Sequence, residues 1–234
     1  GGKGGAGKTT IALALAYELE RKHKVLLVDA DVDNPTTRVF VSNNPLWTRS
    51  IDDYVPNIIH DRCNLCGICV ENCHEHALVL IPNKKIIFVP QLCGGCRVCE
   101  LVCPENAISS GKRILGTIEL FEKSENLHFL IGSLEAGRRK SISMIYHTIK
   151  AGLELGKKYD FVLIDTHPGT GAGVLVSIEN ADIVFAVTEP TRLGINDLTK
   201  HLRLIKNYNK IHYIIINKYG IPGGIYSELE NIIN

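Results

Sequence analysis

The chain opens with Gly1–Thr10, GGKGGAGKTT, and this stretch decides the fold. Gly2-Lys3-Gly4-Gly5-Ala6-Gly7-Lys8-Thr9 fits the pattern GxxxxGK[ST]. Glycines at this spacing let consecutive backbone N–H groups wrap a phosphate without Cβ clashes. A helix that begins at the loop turns its positive dipole end toward the anion. Lys8 then reaches the β- and γ-phosphates, and the Thr9 hydroxyl ligates Mg²⁺. The bland alternative is a glycine-rich turn before a helix. Two features set the stretch apart. It carries a second lysine, Lys3, and nothing precedes it, although such a loop normally follows a buried strand. YSELENIIN at the other end stops in what reads as a helix, so the chain reads as trimmed at both ends.

Carboxylates downstream support the phosphate reading. VLLVDAD and FVLIDTHPG each place an aspartate at a strand's C-terminal end, the edge where ligands bind in open α/β sheets. Asp29, Asp31 and Asp165 therefore converge on the loop's side of the sheet and suit Mg²⁺ and water handling. Asp33, beyond the DxD, reads as a helix cap.

The rest of the pattern fixes the architecture. TTIALALAYELERKH has helical periodicity, and KSISMIYHTIKAGLELGKK reads as a helix ending near Gly156. NLHFLIGS, DFVLIDTHPG, ADIVFAVTEP and KIHYIIINKYG read as strands. Apolar strands alternating with helices predict a doubly wound, mostly parallel α/β sheet covered on both faces. The apolar runs are strand-sized and too short to cross a bilayer, and the polar, glycine-rich start is no signal peptide. A net charge of +1 gives no basic excess for nucleic acid. A cytoplasmic protein without a membrane segment is expected.

All eight cysteines lie between Cys63 and Cys103. Cys63, Cys66, Cys69 and Cys73 recur at Cys93, Cys96, Cys99 and Cys103, each thirty positions on. Ala77 likewise matches Ala107, and Leu78 matches Ile108. Clustered CxxC steps in a chain that binds nucleotide read as metal ligation in a reducing compartment, not as disulfides. Each run fits the bacterial ferredoxin spacing, in which the fourth cysteine serves the other cluster. One [4Fe–4S] cluster is thus expected on Cys63, Cys66, Cys69 and Cys103, the other on Cys93, Cys96, Cys99 and Cys73. Zinc is the alternative, but it needs neither the third CxxC step nor the duplication. Cys103 is followed by Pro104 as the pattern expects, whereas Cys73 is followed by His74, which with His76 reads as a surface residue. An α+β ferredoxin-like domain over 58–111 is expected as an insert in a nucleotide-binding domain of 1–57 and 112–234.

GKGGAGKTT, VDAD and IDTHPG together resemble the deviant Walker A P-loop ATPases, the MinD, ParA, Mrp and nitrogenase-iron-protein group. With VTEPTRLGINDL and the cysteine zone, the whole chain resembles MinD-superfamily ATPases that carry an inserted ferredoxin domain. The resemblance implies an ATPase using ATP, ADP and Mg²⁺. It assigns Lys3 to the phosphates of a partner subunit in an ATP-induced homodimer, and Gly2 to Thr10 to the nucleotide. It makes Asp31 the residue that positions the attacking water, places Asp165 near the Mg²⁺ shell, and gives Asn217, in IINK, to adenine, whose edge an amide can pair. A strand-terminal Asn is also a common turn residue. Thr191 falls near the nucleotide and Asp197 is structural. Two clusters consume eight thiolates, which leaves none to bridge a cluster between subunits within these residues. Three functions follow: an ATPase coupled to electron transfer with a redox partner; a maturation factor for a metalloprotein, with the ferredoxin part as docking or sensing module; and a MinD-like spatial organiser, which would need a membrane-binding terminal helix that is not seen before Asn234.

Overall fold

The computed structural model describes residues 5–42, 44–138 and 141–233. In chain order, helix α1 (Lys8–Leu19) leads to strand β1 (Val25–Asp29). A 3-10 turn at Thr36–Phe40 then leads to the long strand β2 (Trp47–Ile58). Two single-turn helices, α2 (Ile68–Glu71) and α3 (Val98–Leu101), bracket a hairpin of β3 (Leu78–Ile81) and β4 (Lys85–Phe88). Next come β5 (Ile108–Glu122), β6 (Leu127–Leu134), α4 (Ser141–Gly156), β7 (Phe161–Asp165), α5 (Ala172–Glu179), β8 (Ile183–Thr188), α6 (Arg192–Asn207), β9 (Ile211–Ile216) and α7 (Tyr226–Ile233).

The chain divides into two compact units. The first runs to Arg49, resumes over Ile118–Ser133 and again from Ser141. The second takes Ser50–Thr117 and a segment starting at Leu134. One sheet has the order β2-β5-β6-β1-β7, with β1 parallel to both neighbours. β8 and β9 form a separate parallel pair. The single sheet predicted from the alternation is therefore two, because β7 and β8 share no ladder.

In the first unit, both faces of the central strands are covered, which is why they read as continuous apolar runs rather than alternating ones. Val25, Leu27, Leu127, Phe129 and Ile131 share one buried cluster with Leu13 and Ala16 of α1. On β1 the intervening Val28 meets α4, where Gly152 has room for no side chain. A Cβ there would come 2.7 Å from Val28 and 3.6 Å from Leu130. Gly132 of β6 is crowded in the same way by Thr148 of α4. Close helix–sheet contact on this face thus depends on two glycines. A second core holds Val174, Ile178, Ala186, Ile195, Leu198, Leu202 and Ile205 from α5, β8 and α6.

In the second unit, the core is small and built around the cysteines. Leu78, Ile86, Ile108 and Cys69 are buried, with Ile58, Leu80, Phe88 and Cys63, Cys99 and Cys103 packed against them. Among the described residues no helix is long and apolar enough to cross a membrane.

Candidate functional site

The loop that opens α1 is held in left-handed backbone at Gly5 (φ +104°) and Gly7 (φ +91°), where a side chain is strained. A Cβ on Gly7 would stand 2.2 Å from the Asn217 amide nitrogen. Asn217 follows β9. Its backbone N–H donates to the Thr188 carbonyl (2.8 Å) and its side-chain amide donates to the Ala6 carbonyl (3.0 Å). The resemblance assigns this amide to adenine; in the structure one of its two N–H groups donates to the loop backbone. Gly2, Lys3 and Gly4 lie outside the described residues, and Thr10 is exposed on the first turn of α1.

Three carboxylates meet this loop in different states. Asp29 and Asp165 end β1 and β7 as direct register partners. Asp29 is fully buried and saturated. It accepts from the Thr37 hydroxyl (2.7 Å), the Thr37 N–H (3.0 Å) and the Asp31 N–H (3.1 Å). Burial raises its pKa and these bonds oppose the rise. Asp29 therefore fixes the 31–37 loop rather than serving as a free ligand. Sequence reading gave Thr37 no role, although a buried acid two residues before another acid and eight before a Thr was the available signal.

Asp165 is the opposite case. It is 3% exposed and bonded by the Thr9 hydroxyl, but its Oδ2 is buried without a hydrogen-bond partner among the described residues. Burial, then the charges of Asp29 and Asp31, push its carboxyl up to about 6. Burial and Asp29 also raise the half-buried Asp31, against the pull of His167 and Lys8. Lys8 is lowered by burial despite its attraction to Asp165 and Asp31. The Thr36 hydroxyl lies 3.5 Å from that of Thr9. An excess of carboxylate over cation, with one orphaned oxygen beside a loop threonine, is a donor set for a hard divalent cation.

Neighbouring residues take supporting parts. His201 of α6 is buried with a backbone carbonyl at each ring nitrogen, Asp197 at 2.7 Å and Gly169 at 2.8 Å, and so ties the segment after Asp165 to α6. Thr191 caps α6, its hydroxyl accepting from the Gly194 N–H (3.1 Å). Asp33 accepts from Ser141 at the first residue of α4 (2.8 Å).

The cysteine runs form two related sets. Leu65 and Gly95 (φ 62° and 64°), Gly67 and Arg97 (81° and 66°), and His76 and Asn106 (50° and 48°) are all left-handed, each pair thirty residues apart. The Ala77 N–H donates to Cys73 Sγ and the Ala107 N–H to Cys103 Sγ, both at 3.2 Å. The duplication is thus one of backbone as well as sequence, and non-glycine residues at these angles cost about 1–2 kcal/mol each. Cys63, Cys66, Cys69 and Cys103 line one cavity with Ile58, Ile86 and Ile108. Burial pushes the Cys69 thiol up to about 11, and the charges of Cys103, Cys63, Cys99 and Cys66 add to this. Cys99 is raised by burial, with Cys93 and Cys96 adding to it. None of the eight cysteines is in a disulfide. Among the described residues no group of three or more His, Cys, Asp or Glu side chains converges on the position of a single ion. His74 and His76 are exposed.

A family model described as an AAA domain matches residues 1–216. The chain belongs to this AAA-domain family. Two uncharacterised proteins of Methanocaldococcus jannaschii resemble this AAA-domain protein along most of its length. One, MJ0579, is 32% identical over 94% of this chain and 79% of its own; the other, MJ0578, is 31% identical over 94% and 76%. Solved structures with the same fold include the septum site-determining protein MinD of Pyrococcus horikoshii OT3 with Mg-ADP. It is 19% identical, with a TM-score of 0.50 over 98% of this chain and 73% of that one. A plasmid partition protein of Borrelia burgdorferi B31 bound to AMPPNP gives 16% and 0.52 over 99% and 77%. The ATP complex of a Cyanothece McdA variant gives 16% and 0.53 over 98% and 74%. The AAA-domain chain thus has the MinD/ParA-like α/β P-loop fold.

Proposed function

We propose that this AAA-domain protein is an ATP-hydrolysing iron–sulfur protein in which a nucleotide cycle is coupled to electron transfer through two [4Fe–4S] clusters. The reading rests on one conjunction. A phosphate loop beside the partnerless Asp165 Oδ2 occurs in the same chain as a duplicated cysteine cradle. On this reading Lys8 and the loop N–H groups hold the phosphates, Thr9 and Asp165 hold Mg²⁺, and Asp31 orients the attacking water. Lys3 serves the partner subunit of an ATP-induced homodimer. Asn217 holds the loop through Ala6 and keeps its carbonyl oxygen for the base.

The cysteine sets fit two cubanes on an observation of their own. The left-handed residues at matching places in both runs are of the kind that build the backbone concavities which cradle anionic groups and Fe–S sites. Four thiols around one apolar cavity are the ligand set of the first cluster, and one N–H···S bond to each set, at Cys103 and at Cys73, offsets the negative charge. Such clusters supply one-electron storage and transfer when bound. In sequence, residues 31–37 lead through Thr36–Phe40 into β2, and β2 leads to Cys63.

Anaerobic reconstitution with iron and sulfide tests the reading. ATP hydrolysis is then measured with the chain oxidised and reduced, and the reduction potential with and without Mg·ATP. Coupling is reciprocal, so a tenfold change in ATP affinity on reduction corresponds to a shift of about 59 mV for a one-electron couple. No uptake of iron and sulfide would remove the cluster half of the reading. Uptake with no mutual effect would leave two independent modules.

A further inference from the structure

The two cysteine sets are duplicated, but their surroundings are not. By the repeat, Cys73 and Cys103 receive matching bonds from Ala77 and Ala107. The other bonds fall on the second set alone. The Gly95 N–H lies 3.3 Å from Cys93 Sγ. The Tyr54 hydroxyl lies 3.8 Å from Cys99 Sγ. Tyr54 comes from β2, outside the repeat, and is half-buried with the Arg97 guanidinium 5.2 Å from its ring centre. Arg113, paired with Asp53 at 3.2 Å, also donates to the Cys93 carbonyl at 3.0 Å and so fixes the first ligand of this set.

The first set is enclosed differently. The cavity around Cys63, Cys66, Cys69 and Cys103 is walled by Ile58, Ile86 and Ile108. The Cys66 N–H is turned away to the Asn64 side chain (3.0 Å). The repeat puts Gly94 in place of Asn64, so no equivalent side chain competes in the second run.

Adding an electron makes a cluster more negative. Donors to its thiolates stabilise that state, and an apolar enclosure destabilises it. We propose that the second set, Cys93, Cys96, Cys99 and Cys73, is the higher-potential site of the chain, and that Tyr54 is the positioned donor which raises it. The first electron delivered by an external reductant therefore resides at the second set. This rests on the cluster reading above.

The test is a potentiometric titration of the reconstituted full chain, followed by EPR, on wild type, Tyr54→Phe and Cys66→Ser. About eight iron and eight sulfide per chain establish loading. Two waves are expected. Tyr54→Phe moves the higher wave to more negative potential and leaves the lower one in place. Cys66→Ser moves only the lower wave, which assigns it to the first set. ENDOR of the reduced wild type detects an exchangeable hydroxyl proton that Tyr54→Phe lacks. A fully loaded Tyr54→Phe chain with both waves unmoved, or with only the lower one moved, overturns the proposal and leaves the cluster reading intact. Loss of iron in Tyr54→Phe overturns it too, because Tyr54 would then be structural. A wild-type chain that takes up no iron removes the cluster reading, and the proposal with it.

Discussion

Replacing Asp165 by Asn should stabilise the nucleotide-free protein while abolishing hydrolysis. Asp165 is buried at the end of β7, one of its oxygens has no partner among the described residues, and burial holds its pKa at about 6. The unfolded value lies near 3.9, so the shift is about two units, or about 3 kcal/mol. The sign follows from the direction. A carboxyl whose pKa is raised by folding costs nothing below about pH 4, where both states are protonated. Stability then falls as pH rises through the window from about 4 to 6, where the unfolded chain ionises first. Above pH 6 the full cost remains.

Asn cannot ionise. Burying its amide costs about 1–3 kcal/mol if unpaired, but that cost does not change with pH. The decisive quantity is therefore the stability difference, variant minus wild type, which should grow by about 3 kcal/mol between pH 4 and pH 7. The repulsion of Asp165 by Asp29 and Asp31 is part of this shift and is relieved with it. Urea unfolding followed by Trp47, the single tryptophan and part of the first unit, measures it. Mg·ATP should reverse the order, because the cation satisfies the carboxylate and stabilises wild type alone. A difference that is flat or falling with pH would refute the idea that ligand-free Asp165 is held at a cost.

Further outcomes follow from the proposed roles and from the packing. Lys8→Ala should abolish ATP binding, whereas Lys3→Ala should keep much of it and lose the ATP-induced dimer in light scattering. Gly7→Ala should weaken ATP binding, since its Cβ meets Asn217 and its left-handed backbone costs about 1–2 kcal/mol; adding Asn217→Ala should relieve only the contact, as calorimetry of both variants would show. Gly132→Ala drives a methyl into Thr148 between β6 and α4 and should cost about 1–3 kcal/mol in urea unfolding, with Thr148→Ser in the same chain recovering part of it. His201→Ala frees the Gly169 carbonyl and should speed hydrogen exchange of residues 166–171 relative to those of α4.

What the sequence revealed about the fold was set by burial. VLLVD is readable because it is buried along its whole length, whereas FVLID, at the sheet edge and only partly buried, is readable from its unbroken apolar run ending in an aspartate. β2 and β5 were not legible as strands. WTRSIDDYVPNI mixes charges, a proline and partly exposed positions, and ISSGKRILGTIELFE changes pattern where it passes from one unit into the other. Such segments become strands through their ladder partners, which no local pattern records. The same applies to the separation of β8 and β9 from β7, because pairing order is a property of the assembled sheet. At the phosphate site, the residues whose chemistry demands their identity stood out: Lys8, Thr9, Asp31 and Asp165. Thr37 and His201 did not, because they act by holding other residues in place and many side chains could occupy their positions.

The cysteine zone shows both effects at once. Its repeat was legible because eight cysteines recur at one spacing, and the structure adds matched left-handed turns at paired positions such as Gly67 and Arg97. What distinguishes the two sets was hidden because it enters from outside the repeat. Tyr54 belongs to β2, and nothing in its local sequence ties it to Cys99, forty-five residues later. On the proposed reading, two sets alike in every respect would accept electrons alike. The added donors fall on the second set and the isoleucine enclosure on the first. One repeated motif is thereby divided into two unequal sites by side chains that the repeat does not contain.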